Sequence, residues 1–332
     1  MPPFADLRHG DCRDIIATLD DNSIDAIVTD PPYELGFMGK GWDNTGIAYD
    51  VQLWTECLRV LKPGGHLLAF GGTRTYHRMT SAIEDAGFEI RDSIHWIYGS
   101  GFPKSHDVSK GIDKAAGAQR EVVGSKMGRP GYSLADNGRT NEVYSDFHDP
   151  VAECEITAPA TDAAREWEGW GTALKPAHEP IVMARKPLVG TVAANVLQHG
   201  TGALNIDGAR IGYQSEADKA GAQALADLRA KGLRLGVIGE PGQGSSLSVA
   251  ASGDTRNGTE QTRQSDAGRW PANVILDGSI EAEWVRYFYC AKASKAERNA
   301  GGTIENRHPT VKPLALMRYL VRLVTPPGGT VL

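Results

Sequence analysis

Short apolar runs set between helical segments constrain this chain more than any other feature. Ile24–Thr29 and His66–Phe70 are brief, almost continuously apolar and bounded by polar or glycine residues, as strands buried on both faces are. Phe88–Tyr98 reads as a further strand. Helical spacing falls between them. Cys12–Leu19 closes at Asp20-Asp21-Asn22-Ser23, Val51–Leu61 stops at Lys62-Pro63-Gly64-Gly65, and Arg74–Ala86 ends at Gly87. Regular alternation of strand and helix predicts an α/β fold with a mostly parallel sheet and right-handed crossovers. Ligands in such sheets sit beyond the carboxyl ends of the strands. Asp11, after a short strand at the start of the chain, Asp30 and Gly71 are all expected there.

Beyond Gly99 the pattern weakens into a polar, glycine-containing stretch up to Gly171, followed by one further sheet strand at His178–Lys186. Gly212–Gly268 is rich in Gly, Ser, Asp and Gln and reads as a mobile loop or small insertion. Pro313–Val324 is a helix with proline in its first turn, closed by Pro326-Pro327-Gly328-Gly329, and Thr330-Val331-Leu332 begins another strand. The 332 residues carry 41% hydrophobic and 23% charged side chains, ordinary values for a water-soluble domain. No apolar run reaches the roughly 20 residues that span a bilayer, and the N-terminus lacks a signal peptide's basic and apolar regions. A cytoplasmic protein without a membrane partner is therefore expected. Cys12, Cys57, Cys154 and Cys290 are far apart with no Cys-x-x-Cys pair, so neither a disulfide framework nor a metal site is expected.

The net charge of −6 is not that of a typical nucleic-acid binder. The stretch from Arg286 to Arg322, which includes Lys292, Lys295, Arg298, Arg307, Lys312 and Arg318 against only Glu297 and Glu305, is locally basic. It can lie along a phosphate backbone or form a solvated helix face; charge alone leaves both open.

The chemistry is concentrated in Asp30-Pro31-Pro32-Tyr33, at the tip of the first buried strand. An exocyclic amine on a nucleobase is a poor nucleophile because its lone pair is delocalised into the ring. A carboxylate accepting one amine hydrogen and a backbone carbonyl accepting the other let the nitrogen become tetrahedral as it attacks. Asp30 supplies the carboxylate and Pro31 a carbonyl. Two prolines give a stiff turn that presents acceptors and lacks donors. Tyr33 offers a ring face for an extruded base. An ordinary turn after a strand is the structural alternative.

With these residues in view, the chain resembles the S-adenosylmethionine-dependent amino-methyltransferases of DNA, of phage and bacterial type, in the permuted order where the catalytic half precedes the cofactor half. The resemblance rests on Gly10-Asp11-Cys12, Asp25–Tyr33, Leu61-Lys62-Pro63-Gly64-Gly65 and His308-Pro309-Thr310-Val311-Lys312-Pro313. Weaker matches are Gly202–Gly208 and Gly268–Asn273. It implies a Rossmann-like domain with S-adenosylmethionine as cofactor and double-stranded DNA as partner. It also implies a catalytic half at 1–103, an insertion at 104–171, a returning strand at 172–187, a target-recognition region at 188–300, and the start of the cofactor half at 301–332.

Residue by residue, Asp30, Pro31, Pro32 and Tyr33 would hold and stack the target base. Asp11 would lie near the cofactor adenosine, or cap a helix. Thr310 and Lys312 would lie by the cofactor's methionine end, with Thr310 also able to cap a helix and Lys312 meeting the carboxylate. Trp96 and Phe102 would extend the stacking surface, though Trp96 also fits a core position. Arg286, Lys292 and Lys295 would contact DNA. Lys40, Trp42 and Asp43 follow the tetrad in a glycine-flanked loop that closes over the base or is plain surface. The family carries aspartate before Pro-Pro-Tyr for adenine N6 and serine for cytosine N4 as a tendency, so adenine is the expected target and cytosine the alternative. A non-catalytic DNA-binding protein, or an enzyme acting on RNA or a protein amide, is a further alternative. The family continues after Thr330-Val331-Leu332 with an acidic, glycine-containing turn, so the expectation is a cofactor half truncated at Leu332 and a chain inactive alone. A homodimer and a cognate restriction endonuclease are partners such a protein can have; the sequence names neither.

Overall fold

The computed structural model describes residues 5–36, 43–99, 105–127, 153–230, 233–238, 246–251, 267–279, 285–286, 288–290, 297 and 311–332. They divide into two compact units, one built from Met1–Leu35, Gly41–Gly99 and His178–Leu332, the other from Gly36–Lys40 and Ser100–Ala177.

The larger unit is organised by a six-stranded sheet in the order β1 (Ile24–Thr29), β2 (Leu61–Phe70), β6 (His178–Arg185), β3 (Glu89–Ile97), β9 (Val274–Leu276) and β10 (Tyr289–Cys290). β1 pairs with β2, β3 with β9 and β9 with β10 in parallel, whereas β6 runs antiparallel to both of its neighbours. The expected α/β, mostly parallel, Rossmann-like sheet is thus present with one reversed strand. The strand begun at Thr330 lies along the free side of β1, where Val331 bridges Ala26 in parallel and the Leu332 N–H donates to the Ala26 carbonyl at 3.0 Å.

Strand side chains alternate between faces, and here both faces are dry. Ile27, Leu67, Ala69, Val182 and Ala184 point to one side, against Ile16 of α1 (Cys12–Ala17), Leu53 and Trp54 of α2 (Val51–Val60), and Met79 and Ile83 of α3 (Tyr76–Asp85). Ala26, Leu68, Phe70, Ile181 and Met183 point to the other side, against Leu316, Tyr319, Leu320 and Leu323 of the last helix, α8 (Leu314–Val324). Burial on both sides explains why these strands read as unbroken apolar runs.

Several expectations are corrected. Lys62-Pro63-Gly64-Gly65 does not separate helix from strand; it is a bulge inside β2, since Ile24 pairs with Leu61 while Ala26 pairs with His66. The bulge is held by Asn195 of α6 (Val192–His199), whose amide nitrogen donates to the carbonyls of Pro63 and Thr201, each at 2.8 Å. Residues 5–11 contain no strand. The polar stretch read as a loop contains α7 (Glu216–Ala230) and the antiparallel pair β7 (Leu233–Ile238) and β8 (Ser246–Ala251). Of the two readings, mobile loop or small insertion, these elements are at odds with the loop; the helix was not legible because alanine and polar residues favour helix without marking a buried face.

The smaller unit contains α4 (Val108–Ala115), α5 (Asp162–Glu166) and the antiparallel strands β4 (Val122–Met127) and β5 (Glu153–Thr157). Its polar centre is Asp113, which accepts from the Ala160 and Thr161 amides, the Thr161 hydroxyl and Arg120 Nη1. Among the described residues no helix is long and apolar enough to cross a membrane.

Candidate active site

β1 ends at Thr29, and its next residues turn at the carboxyl edge of the sheet. Asp30 is therefore delivered where an α/β sheet exposes ligand sites. The turn is fixed from behind. The Tyr33 and Glu34 amides donate to Asp43 Oδ1 at 2.9 and 3.1 Å, and the Thr75 hydroxyl donates to the Tyr33 carbonyl at 2.7 Å. Glu34 takes a left-handed backbone with φ of 54°, and its carboxylate accepts from the Thr45 hydroxyl and the Gly46 amide at 3.2 and 2.8 Å. Gly72, just past β2, leaves room for the tyrosine: a Cβ there would stand 3.3 Å from Tyr33 Cβ. A small concavity lined by Pro32, Tyr33, Ala48, Gly72 and Thr75 lies beside the turn.

At the centre of the site is Lys312, with a side chain only 8% exposed. Its ammonium lies 3.0 Å from Asp30 Oδ2 and 3.1 Å from Glu179 Oε2, and donates to Tyr33 Oη at 3.0 Å. Those oxygens can use all three of its hydrogens. The Tyr33 hydroxyl in turn donates to Glu179 Oε2 at 2.8 Å. The same ammonium stands over the rings of Phe70 and Tyr33, 4.9 and 5.2 Å from their centroids, a cation–π arrangement. Burial first, then the charges of Glu179 and Asp30, push the Tyr33 phenol far above its ordinary range. Tyr33 therefore remains a neutral donor at any working pH.

The sequence singled out Asp30, Pro31, Pro32 and Tyr33 at the turn and Lys312 near the other end of the chain, and the structure brings Lys312 onto Asp30 and Tyr33. Glu179 was missed. It stands at the mouth of β6 in His178-Glu179-Pro180, and a carboxylate ahead of a fully apolar strand was the available signal. Asp43 was read as part of a closing loop or plain surface. It is buried and holds the tetrad backbone instead.

Asp11 and Arg286 are engaged elsewhere, whereas Trp96 lies beside Glu179 in the sheet. Asp11 is the N-cap of α1: it accepts from the Arg13 amide at 2.9 Å and pairs with Arg13 Nη2 at 2.6 Å. The Arg13 hydrogen bonds hold its carboxyl down to about 2. The helix-cap alternative is thus what the geometry displays. Arg286 lies 3.3 Å from Asp218 Oδ1, a carboxylate that also pairs with Arg269, so its charge is engaged within the fold. Trp96 lies on β3 in register with Glu179 and is half-buried, its ring 5.3 Å from that of Tyr98. Its indole Nε1 is buried with no hydrogen-bond partner among the described residues. Thr310, Phe102, Lys292 and Lys295, with Lys40 and Trp42, lie outside the described residues.

Known proteins are similar to this chain in sequence. Type II methyltransferase M.HpaI of Haemophilus parainfluenzae is 35% identical over 100 residues, 28% of this chain and 32% of that protein. Type II methyltransferase M.HindIII of Haemophilus influenzae is 27% identical over 235 residues, 57% of this chain and 61% of that protein. The matches therefore span less than two thirds of either relative. Among solved structures, the cytosine-N4-specific PvuII DNA methyltransferase aligns with 97% of this chain and 71% of its own at 11% identity and a TM-score of 0.39. The M1.HpyAVI–SAM complex aligns with 98% of this chain and 79% of its own at 14% identity and a TM-score of 0.34. A family model described as DNA methylase, of the N6/N4 type, matches residues 24–332, nearly the whole chain, and the chain belongs to that family.

Proposed function

We propose that this chain forms the acceptor side of a site that methylates adenine N6 in double-stranded DNA, with S-adenosylmethionine as methyl donor and the target base turned out of the helix. The observation that carries the reading is Asp30, held at the carboxyl end of β1 by a turn that Asp43 and Thr75 lock from behind. The family, which covers both N6 and N4 amines, supports the class of acceptor. The aspartate in Asp30-Pro31-Pro32-Tyr33 supports adenine over cytosine, because the family favours serine there for cytosine.

Asp30 would accept one hydrogen of the amine and the Pro31 carbonyl the other. Held between these two acceptors, the nitrogen would present its lone pair to the methyl group it receives. The nitrogen's surplus proton passes to Asp30 and on to water. Because Asp30 and a carbonyl are aimed at charge that develops only in this step, they lower its barrier without first having to reorganise. Tyr33, neutral and pinned through its hydroxyl, would supply a fixed ring face for the base.

S-adenosylmethionine, when bound, supplies an activated methyl group. Of the residues that the resemblance assigns to it, Thr310 lies outside the described residues, Asp11 is engaged with Arg13, and Lys312 is held by three oxygens. The described residues therefore do not make up a complete cofactor site, and the steps above concern the acceptor alone.

The test is product analysis. Plasmid DNA incubated with methyl-labelled S-adenosylmethionine and either the purified chain or the full product of its gene is digested to nucleosides and resolved by mass spectrometry, with RNA and protein as parallel substrates. The reading expects N6-methyladenine, abolished by Asp30→Ala. N4-methylcytosine would reassign the base. No labelled DNA from either protein, or full activity after Asp30→Ala, would refute it.

A further inference from the structure

Glu179 has no place in the reading above, yet it meets the same lysine as Asp30 and accepts the Tyr33 hydroxyl. It accepts the Tyr33 hydroxyl at 2.8 Å and the Lys312 ammonium at 3.1 Å, both through Oε2. Its backbone is fixed in the sheet, where it is in register with Trp96 of β3, and the neighbouring Pro180 carbonyl accepts from the Gly71 amide at 2.9 Å. Asp30, by contrast, lies past the end of β1 and meets Lys312 through Oδ2. One ammonium is thus shared by two carboxylates of unequal anchorage. A base amine arriving at Asp30 must replace an N–H donor already there, and a nearly buried ammonium left without a counter-charge would be costly.

We propose that Glu179 is a positioning residue: it holds the Lys312 ammonium and the Tyr33 hydroxyl, so that Asp30 can exchange the ammonium for the target amine while Lys312 stays paired. The inference rests on the methyl-transfer reading for its purpose, but its geometry does not depend on it. With Glu179 neutral, Asp30 becomes the only carboxylate partner of Lys312 in the cluster, and the ammonium competes with the amine for it. Tyr33 also loses a charged acceptor, so its ring is less firmly placed.

Two measurements on the full chain test this. In the first, the protein is labelled with 15N-lysine and its ammonium groups are observed by NMR. An ammonium held by three oxygens exchanges its protons slowly enough to give a cross-peak, assigned to Lys312 by its absence in Lys312→Met. The peak should persist in Asp30→Asn and be lost in Glu179→Gln. Its loss in Asp30→Asn with retention in Glu179→Gln, or its absence from the unsubstituted protein, overturns the proposal.

The second measurement is turnover. Glu179→Gln should lower kcat roughly 10- to 100-fold, the scale of a misplaced reacting group, with a smaller change in KM for DNA. Glu179→Asp, which keeps the charge, should recover part of the loss. In the Lys312→Met background Glu179→Gln should have much less effect, because its target is gone. A merely structural glutamate would instead give additive losses and a lowered melting midpoint, and that outcome also overturns the proposal. If neither the chain nor the full product of its gene methylates a substrate, the functional reading fails and takes the purpose of Glu179 with it. The NMR result would still report which carboxylate anchors Lys312.

Discussion

Replacing Lys312 with methionine would remove a cation that lies within 3.1 Å of two carboxylates while keeping much of its aliphatic volume against Phe70 and Tyr33. The effect on stability can be worked from the geometry. A unit-charge pair about 3 Å apart is worth roughly 5 kcal/mol at an effective dielectric of about 20, before the cost of dehydrating the ions. Breaking a fully buried pair by deleting one partner costs about 3–5 kcal/mol. Asp30 and Glu179 retain 29% and 20% of their side-chain exposure, so water replaces part of what is lost. A loss of about 2 kcal/mol follows from discounting the buried-pair range for that exposure. For a unit of this size that corresponds to roughly 5 °C in the melting midpoint. Near-ultraviolet circular dichroism during a thermal scan would report it. Adding Glu179→Gln to Lys312→Met should recover part of the drop, because only one charge is then left unpaired. An unchanged or raised midpoint in Lys312→Met would show that the cation does not hold this cluster together, and the reasoning would fail.

Other consequences are equally open to measurement. Burial, aided by Arg185 and Arg91, lowers the His66 pKa from 6.5 to about 4. As pH falls through that window the unfolded chain takes up the proton and the folded chain does not, so stability present above pH 6.5 declines by up to about 3 kcal/mol; His66→Gln should flatten this part of a urea-midpoint against pH profile. Gly64 has φ of +79°, and a Cβ there would meet the Asn195 side chain at 2.5 Å, so Gly64→Ala should cost about 2 kcal/mol or more. Gly328→Ala, at φ of +74° but with nothing within 4 Å, should cost only about 1 kcal/mol in the same melting assay. Asn195→Ala would strip hydrogen bonds from the Pro63 and Thr201 carbonyls and the Val189 amide, a loss of roughly 2–4 kcal/mol readable as faster hydrogen exchange around the β2 bulge.

Much of the central sheet was legible from the chain alone, for a simple reason. Ile24–Thr29 and His66–Phe70 must be dry on both faces, and few arrangements other than a sheet between helices achieve that. The same reasoning placed Asp30-Pro31-Pro32-Tyr33 at a strand's carboxyl end. Helix capping was local enough to be anticipated too: Asp11 was read with a capping alternative, and that is the contact observed.

Pairings between distant segments were not legible. Periodicity says which face a residue occupies, but not which strand lies beside its own. β6 returns antiparallel between β2 and β3, and this order is what sets Glu179 against Tyr33 across 146 positions of sequence. Lys312, 279 positions from Tyr33, was read from the resemblance alone, and its contacts with two carboxylates of its own chain appear only in the fold. Arg286 was one charge in a basic run until the fold set it beside Asp218. The sequence by itself determined where Asp30-Pro31-Pro32-Tyr33 stands, because a strand, an aspartate and two prolines are contiguous and their geometry is local. Which charges surround that aspartate was decided only by the tertiary structure, because Coulomb interactions depend on distance in space and the chain order carries no record of it.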